Sequence, residues 1–245
     1  MKPNIGLQLY SLREKCNENF ENVLKKLSNA GYDGVEFYSF YDIEANKMKQ
    51  ILNTYNLKAM GTHTNIDVLK NDLDGLIRYM TTLESQYVGL GWYDSEDRDG
   101  WLRFCEIFDK TGDKLRQNGI SLMYHNHGHE FEPKFNGEMA EDIILKNTDP
   151  KNVSLELDCY WVRYADLDPA VYLKDNLSRV KTIHIKDMDK NEKKMTEVGT
   201  GRNNCSEVYN ICKEASFEWV LIEQDDIYID PFESVKISID NVRKF

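Results

Sequence analysis

The chain has 245 residues, 41% hydrophobic and 30% charged, enough for one sizeable core under a well-solvated surface. Its formal net charge is -11 and its pI is near 5.0. No Lys/Arg cluster exceeds local runs such as Lys193-Lys194, so the chain repels phosphate backbones and no nucleic acid is expected as partner.

The five cysteines (Cys16, Cys105, Cys159, Cys205 and Cys212) are odd in number and none pairs at CxxC spacing. A reduced, cytoplasmic protein is expected. The opening MKPNIGLQLYSL has no long apolar h-region, and no stretch reaches about 18 apolar residues, so neither a leader nor a membrane span is expected.

Short apolar runs alternate with longer amphipathic segments. In chain order the predicted pairs are strand Ile5–Leu9 with helix Phe20–Ala30, Asp33–Tyr38 with Glu44–Tyr55, Lys58–His63 with Leu73–Leu83, and Tyr87–Trp92 with Asp99–Gln117. Then come Ile120–His127 with Met139–Lys146, Val153–Asp158 with Pro169–Asn176, Val180–Asp187 with Cys205–Ala215, and Trp219–Asp225 with Pro231–Val242. The strands lack strict alternation, as expected when both faces are covered. Gly31 and Gly119 sit where helices stop. Eight such pairs, at about 30 residues each, predict a single α/β domain over 1–245, a (β/α)8 TIM barrel. An open doubly wound sheet is the competing fold, but LYSLREK after the first strand is not a glycine-rich phosphate loop.

Barrel active sites lie at the C-terminal strand ends. His63, His125, His127, Asp158, His184, Lys186 and Glu223 fall at or near such ends, and four of the five histidines are among them. Imidazole and carboxylate groups converging from separate strands make a divalent-metal site, and the absence of thiolate suits Mn, Co, Zn, Fe or Mg. In LMYHNHGHEF one histidine then binds metal while another holds substrate. Strand parity places His125 and His127 on one face and Tyr124 and Asn126 on the other, and His125 is the more strand-like position.

The chain resembles the xylose-isomerase-like barrels of the sugar phosphate isomerase/epimerase family, in its YHNH branch. IGLQLYSLR, YHNHGHEFEP, LELDCYWVRYADLDPAVYL, VKTIHIKDM, EVGTGR and WVLIEQDD carry the resemblance over nearly the whole chain. It implies a TIM barrel whose metal is held by Glu, Asp, His and Glu from strands five to eight. Asp158, His184 and Glu223 match the last three positions. The first falls at His125, where many members have Glu, so Glu130 folding back, or His125 itself, would supply the missing group. The implied chemistry is proton abstraction next to the carbonyl of a sugar or keto-sugar through an enediolate, with Glu223 as base and Lys186 stabilising the oxyanion. Isomerisation or epimerisation is the leading outcome. A lyase acting on a keto-inositol or 3-keto-glycoside is the alternative, followed by an apurinic endonuclease and a non-catalytic sugar-binding barrel.

His63, His127, Tyr10, Trp92, Trp161 and Lys186 are the substrate-binding candidates, with Phe37 a further aromatic near a strand end. Glu36 and Glu156 lie inside strands and read equally well as polar layers of a barrel core. EVGTGR has the glycines of a phosphate cradle or of a tight turn, and Asp187–Lys194 reads as a solvated loop. A carbohydrate is the expected partner; barrel enzymes often pair through helices, which allows a homo-oligomer.

Overall fold

The computed structural model describes residues 2–245. Eight parallel strands close into a barrel: β1 (Asn4–Gln8), β2 (Gly34–Phe37), β3 (Lys58–Thr64), β4 (Tyr87–Leu90), β5 (Ser121–His125), β6 (Val153–Asp158), β7 (Val180–Ile185) and β8 (Trp219–Ile222). Each strand pairs with its sequence neighbours, and β8 closes on β1 with Asn4 opposite Trp219. Around them run α1 (Arg13–Ala30), α2 (Ala45–Thr54), α3 (Ile66–Asn71), α4 (Leu73–Leu83), α5 (Arg98–Gln117), α6 (Ala140–Asn147), α7 (Cys159–Tyr164), α8 (Pro169–Asp175), α9 (Cys205–Glu214) and α10 (Pro231–Val242). The barrel and its single domain are those expected, and among the described residues no helix is long and apolar enough to cross a membrane.

The differences have local causes. The helix expected from Phe20 begins there because Asn19 leaves helical geometry and its side chain accepts from the Asn22 N–H at 3.0 Å; a separate helical piece, Arg13 onward, precedes it. Strands four, five, seven and eight stop two or three residues early, so Trp92, His127, Asp187 and Glu223 lie beyond the ladder. The short helices α3 and α7 were not expected.

The barrel interior is layered. Its floor is an apolar plug of Met60, Tyr87, Met123, Trp219 and Leu221. Trp219 presses on β2 so closely that a Cβ at Gly34 would stand 2.7 Å from its ring and 2.5 Å from the Lys58 carbonyl oxygen. The cysteines are free and buried. Phe37 is also buried, against Phe40.

The segment after β7 departs most from expectation. Asp187–Met188 pairs antiparallel with Met195–Thr196, and Asp187 is buried rather than solvated. Its carboxylate accepts from the backbone N–H groups of Met188, Gly199, Gly201 and Asn203 at 2.8–3.0 Å. The EVGTGR loop does form an anion cradle, but the anion is the chain's own Asp187.

Glu141 on α6 is fully buried and neither carboxylate oxygen has a hydrogen-bond partner. Burial, followed by the charges of Glu130 and Asp142, pushes its pKa well above the ordinary 4.5.

Two outcomes follow. Asp187→Ala strands four N–H groups and should lower the unfolding free energy by about 3 kcal/mol, measured by denaturant unfolding; a loss under about 1 kcal/mol would show that the loop is held by other contacts. For Glu141 the folded group keeps its proton while the unfolded group ionises above about pH 4.5, so its contribution to stability falls as pH rises. Glu141→Gln should therefore flatten the decline in Tm between pH 5 and 8 and raise stability at pH 8 by about 1–2 kcal/mol.

Candidate active site

The polar part of the interior lies in two tiers above the plug. In the lower tier, Glu36 Oε2 accepts from Gln8 Nε2 at 2.7 Å and pairs with His184 Nε2 at 2.9 Å. Glu156 Oε2 pairs with His63 Nε2 at 2.6 Å, and its Oε1 accepts from the Thr182 hydroxyl at 2.9 Å. Glu36 and Glu156 are thus the polar layer that their strand positions allowed, and they grip two of the histidines. Room for His63 comes from β4: a Cβ at Gly89 would stand 2.8 Å from the imidazole.

The upper tier gathers His125, Asp158, His184 and Glu223, which offer donor atoms all within 4.8 Å of one another. Register brings them together, with Asp158 opposite His184 and His184 opposite Leu221, one residue pair below Glu223. Asp158 is aimed by the chain that follows it. Its Oδ1 caps α7, accepting from the N–H groups of Tyr160 at 2.8 Å and Trp161 at 3.1 Å, which turns Oδ2 toward the cluster. Asn126 braces the same strand end, accepting from the Asp158 N–H at 2.9 Å. His184 Nδ1 meets Glu223 Oε2 at 2.7 Å. Burial opposes the His184 charge, but Glu156, Glu223 and Glu36 hold its pKa well above the ordinary histidine value, so both ring nitrogens donate, to Glu36 and to Glu223.

Lys186 reaches the same point. Its Nζ lies 2.9 Å from Asp158 Oδ2, 2.7 Å from Glu223 Oε2 and 3.0 Å from Asp225 Oδ1. Burial opposes its charge, but the three carboxylates outweigh burial and hold its pKa well above the ordinary lysine value. Burial likewise works against the Glu223 carboxylate, yet Lys186 and His184 hold its pKa well below the usual range. Burial pushes Asp158 up to about 6 and His125 down to about 3, so His125 is neutral at physiological pH.

The donor set fits a divalent cation. It is two imidazoles and two carboxylates, a combination that Zn, Mn or Co accepts. Asp158 Oδ2 is buried without an aligned hydrogen-bond donor, and three carboxylates surround the single ammonium of Lys186. A second group (His63, His125, Glu156 and His184) is also close enough to share an ion, but its carboxylate is already hydrogen-bonded on both oxygens.

The other sequence candidates are distributed around this cluster. Tyr10, His63, Trp92, His125, His127, Lys186 and Glu223 line a chamber of about 400 Å³ over it, joined by Tyr38, Gly91 and Asp225. Trp92 is 56% exposed and its ring sits 4.8 Å from that of His127, while Trp161 flanks His127 at 5.4 Å from the far side. Glu130 does not join them: its Oε1 accepts from the Tyr124 hydroxyl and its Oε2 from the His127 N–H, both at 2.8 Å, on the outward face of β5. That face belongs to Tyr124, packed on Trp101, Phe104 and Phe108. Asp225, a strand-end group without an assigned role in the sequence, joins the site through Lys186, and Gln8 and Asn126 are additions that the structure makes. Asn126 stood in the quoted YHNH motif, but its partner was set by pairing between β5 and β6, which periodicity does not reveal.

A profile of the Xylose isomerase-like TIM barrel family matches residues 24–244. This chain belongs to that family. The inosose dehydratase of Lacticaseibacillus casei is 23% identical over 257 aligned positions, covering 87% of this chain and 85% of that protein. That of Halalkalibacterium halodurans is 36% identical over 90 residues, a stretch spanning 36% of this chain and only 28% of the enzyme. A sugar phosphate isomerase/epimerase of Parabacteroides distasonis superposes with a TM-score of 0.82 at 25% identity, covering 98% of this chain and 93% of that one. The family is one of enzymes, and this barrel is an enzyme's.

A cation at the cluster should appear as stabilisation. Saturating Mn²⁺ or Zn²⁺ is expected to raise the Tm by roughly 5–10 °C, and His184→Ala to abolish the rise; an equal rise in the variant would place the ion elsewhere.

Proposed function

We propose that the enzyme is a metal-dependent isomerase or epimerase that removes a proton next to the carbonyl of a sugar or keto-sugar. The observation that carries this reading is the meeting of His125, Asp158, His184 and Glu223 beneath a chamber walled by aromatic and histidine side chains. Those four residues would hold the ion. Bound there, a divalent cation supplies Lewis acidity that lowers the energy of negative charge developing on the substrate oxygen.

Glu223 is kept ionised by Lys186 and His184, and it faces the chamber as a proton acceptor. The Lys186 ammonium adds a fixed positive charge beside it and stabilises an enediolate oxygen. His63 and His127 border the substrate space, and His63 is oriented by Glu156. Tyr10 and Trp92 offer ring faces on which a sugar can stack.

His125 favours a second reading. Where a glutamate would give a second carboxylate on the opposite side of the substrate, this chain has an imidazole that burial keeps neutral. Glu223 can still take a proton, and expulsion of a β-substituent needs no second carboxylate base. The resemblance to inosose dehydratases supports elimination as that alternative outcome.

Turnover of a panel of keto-sugars and keto-inositols in D2O, followed by proton NMR, tests both. Deuterium in a stereoinverted or isomerised sugar is expected for the first reading, and an unsaturated product for the second. Glu223→Gln should lower kcat/KM by about 10²–10⁴-fold with the far-UV spectrum unchanged. Retention of full activity would remove Glu223 from the reaction.

A further inference from the structure

Next to the chamber lies a larger cleft of about 490 Å³, set at the rim between the segment following β2 and helices α3 and α4. Tyr38 and His63 line both spaces, so the cleft opens off the chamber at its edge. Its lining is mixed: Tyr38, Phe40, Val68, Leu76 and Tyr79 are aromatic or apolar, and Ser39, Thr62, His63, Thr64, Asn65 and Asp72 are polar. Phe40 and Tyr79 stack at 3.8 Å between ring centroids, and Tyr38, Val68 and Leu76 add to this apolar surface. The Tyr79 hydroxyl is held by the Ile43 carbonyl at 2.7 Å, which fixes the ring as a wall. Tyr38, Phe40, Val68 and Tyr79 remain only half-buried, apolar surface left facing an opening.

Charge sets the cleft apart from an anion site. Among the described residues no Lys or Arg lines it. Its polar side chains are partly spent on structure, Asn65 accepting from α3 and Asp72 from α4 at their N-termini. In the chamber itself the one ammonium, Lys186, is already matched by three carboxylates. The glycine loop after β7 is filled by Asp187, which leaves it no room for a phosphate.

We infer that the substrate is an unphosphorylated sugar bearing an apolar substituent about the size of one aromatic ring, with the sugar over the cluster and the substituent in this cleft. Because a glycoside's anomeric carbon is an acetal, the carbonyl is then a keto group on another ring carbon: the substrate is an aryl keto-glycoside, for which plain aryl glycosides serve as binding probes, rather than a sugar phosphate. This rests on the reading of the chamber as a sugar site. Tyr38 and His63 stand at the junction, where the link between the two parts would pass. Glu156 holds His63 at 2.6 Å, so the threshold is rigid on that side.

The test pairs glucose, galactose and xylose with their 4-nitrophenyl glycosides and adds glucose 6-phosphate, with binding followed by titration calorimetry and saturation-transfer NMR. At least one 4-nitrophenyl glycoside should bind about tenfold or more tightly than its free sugar, and more tightly than glucose 6-phosphate. Leu76→Trp, which fills the cleft, should bring the glycoside down to the free-sugar level. Val68→Phe, at a half-buried position on α3, should do the same should Leu76→Trp fail to fold. Glycosides and free sugars binding alike, or tightest binding by glucose 6-phosphate, would overturn the cleft proposal and leave the sugar reading intact. No binding by any sugar or glycoside would overturn the sugar reading and the cleft proposal with it.

Discussion

An ionisable group enclosed in a barrel must find its counter-charge within a few ångströms, because the alternative costs several kcal/mol per ion. The interior of this enzyme is organised around that requirement. Glu36, Glu156, His63 and His184 satisfy one another in the lower tier, and Asp158, Glu223 and Asp225 converge on Lys186 above. His184 joins the tiers, with Glu36 on one ring nitrogen and Glu223 on the other. Removing one member leaves its partners unpaired, so the tiers act as one unit. The apolar plug beneath excludes water and makes each pairing stronger.

Precision at the mouth comes from short-range chain chemistry. Asp158 ends a strand and begins a helix in one step, so a helix cap and a cluster-facing oxygen share one carboxylate. Asn126 does comparable work on the backbone between β5 and β6. Neither role requires a long loop, which keeps the placement of Asp158 stiff.

Much of this was legible in the sequence. Eight strand–helix alternations imply the barrel, and strand-end positions bring Asp158, His184 and Glu223 to one rim. Parity separated His125 from Tyr124 correctly. What escaped depended on partners distant in sequence. Glu36 and Glu156 could not be told from ordinary core polar residues, because their meaning lies in which histidine faces them across the barrel. Glu130 carried the right charge in the right motif, but the outward tyrosine beneath it set its direction. Asp187 looked like the start of a solvated loop because the four N–H groups that receive it lie up to 16 residues further along.

That buried aspartate has a wider consequence. In barrels of this architecture the turn after the seventh strand is frequently a seat for a phosphate. Here a tethered guest sits there permanently. The turn is therefore held by the chain's own hydrogen bonds without any ligand.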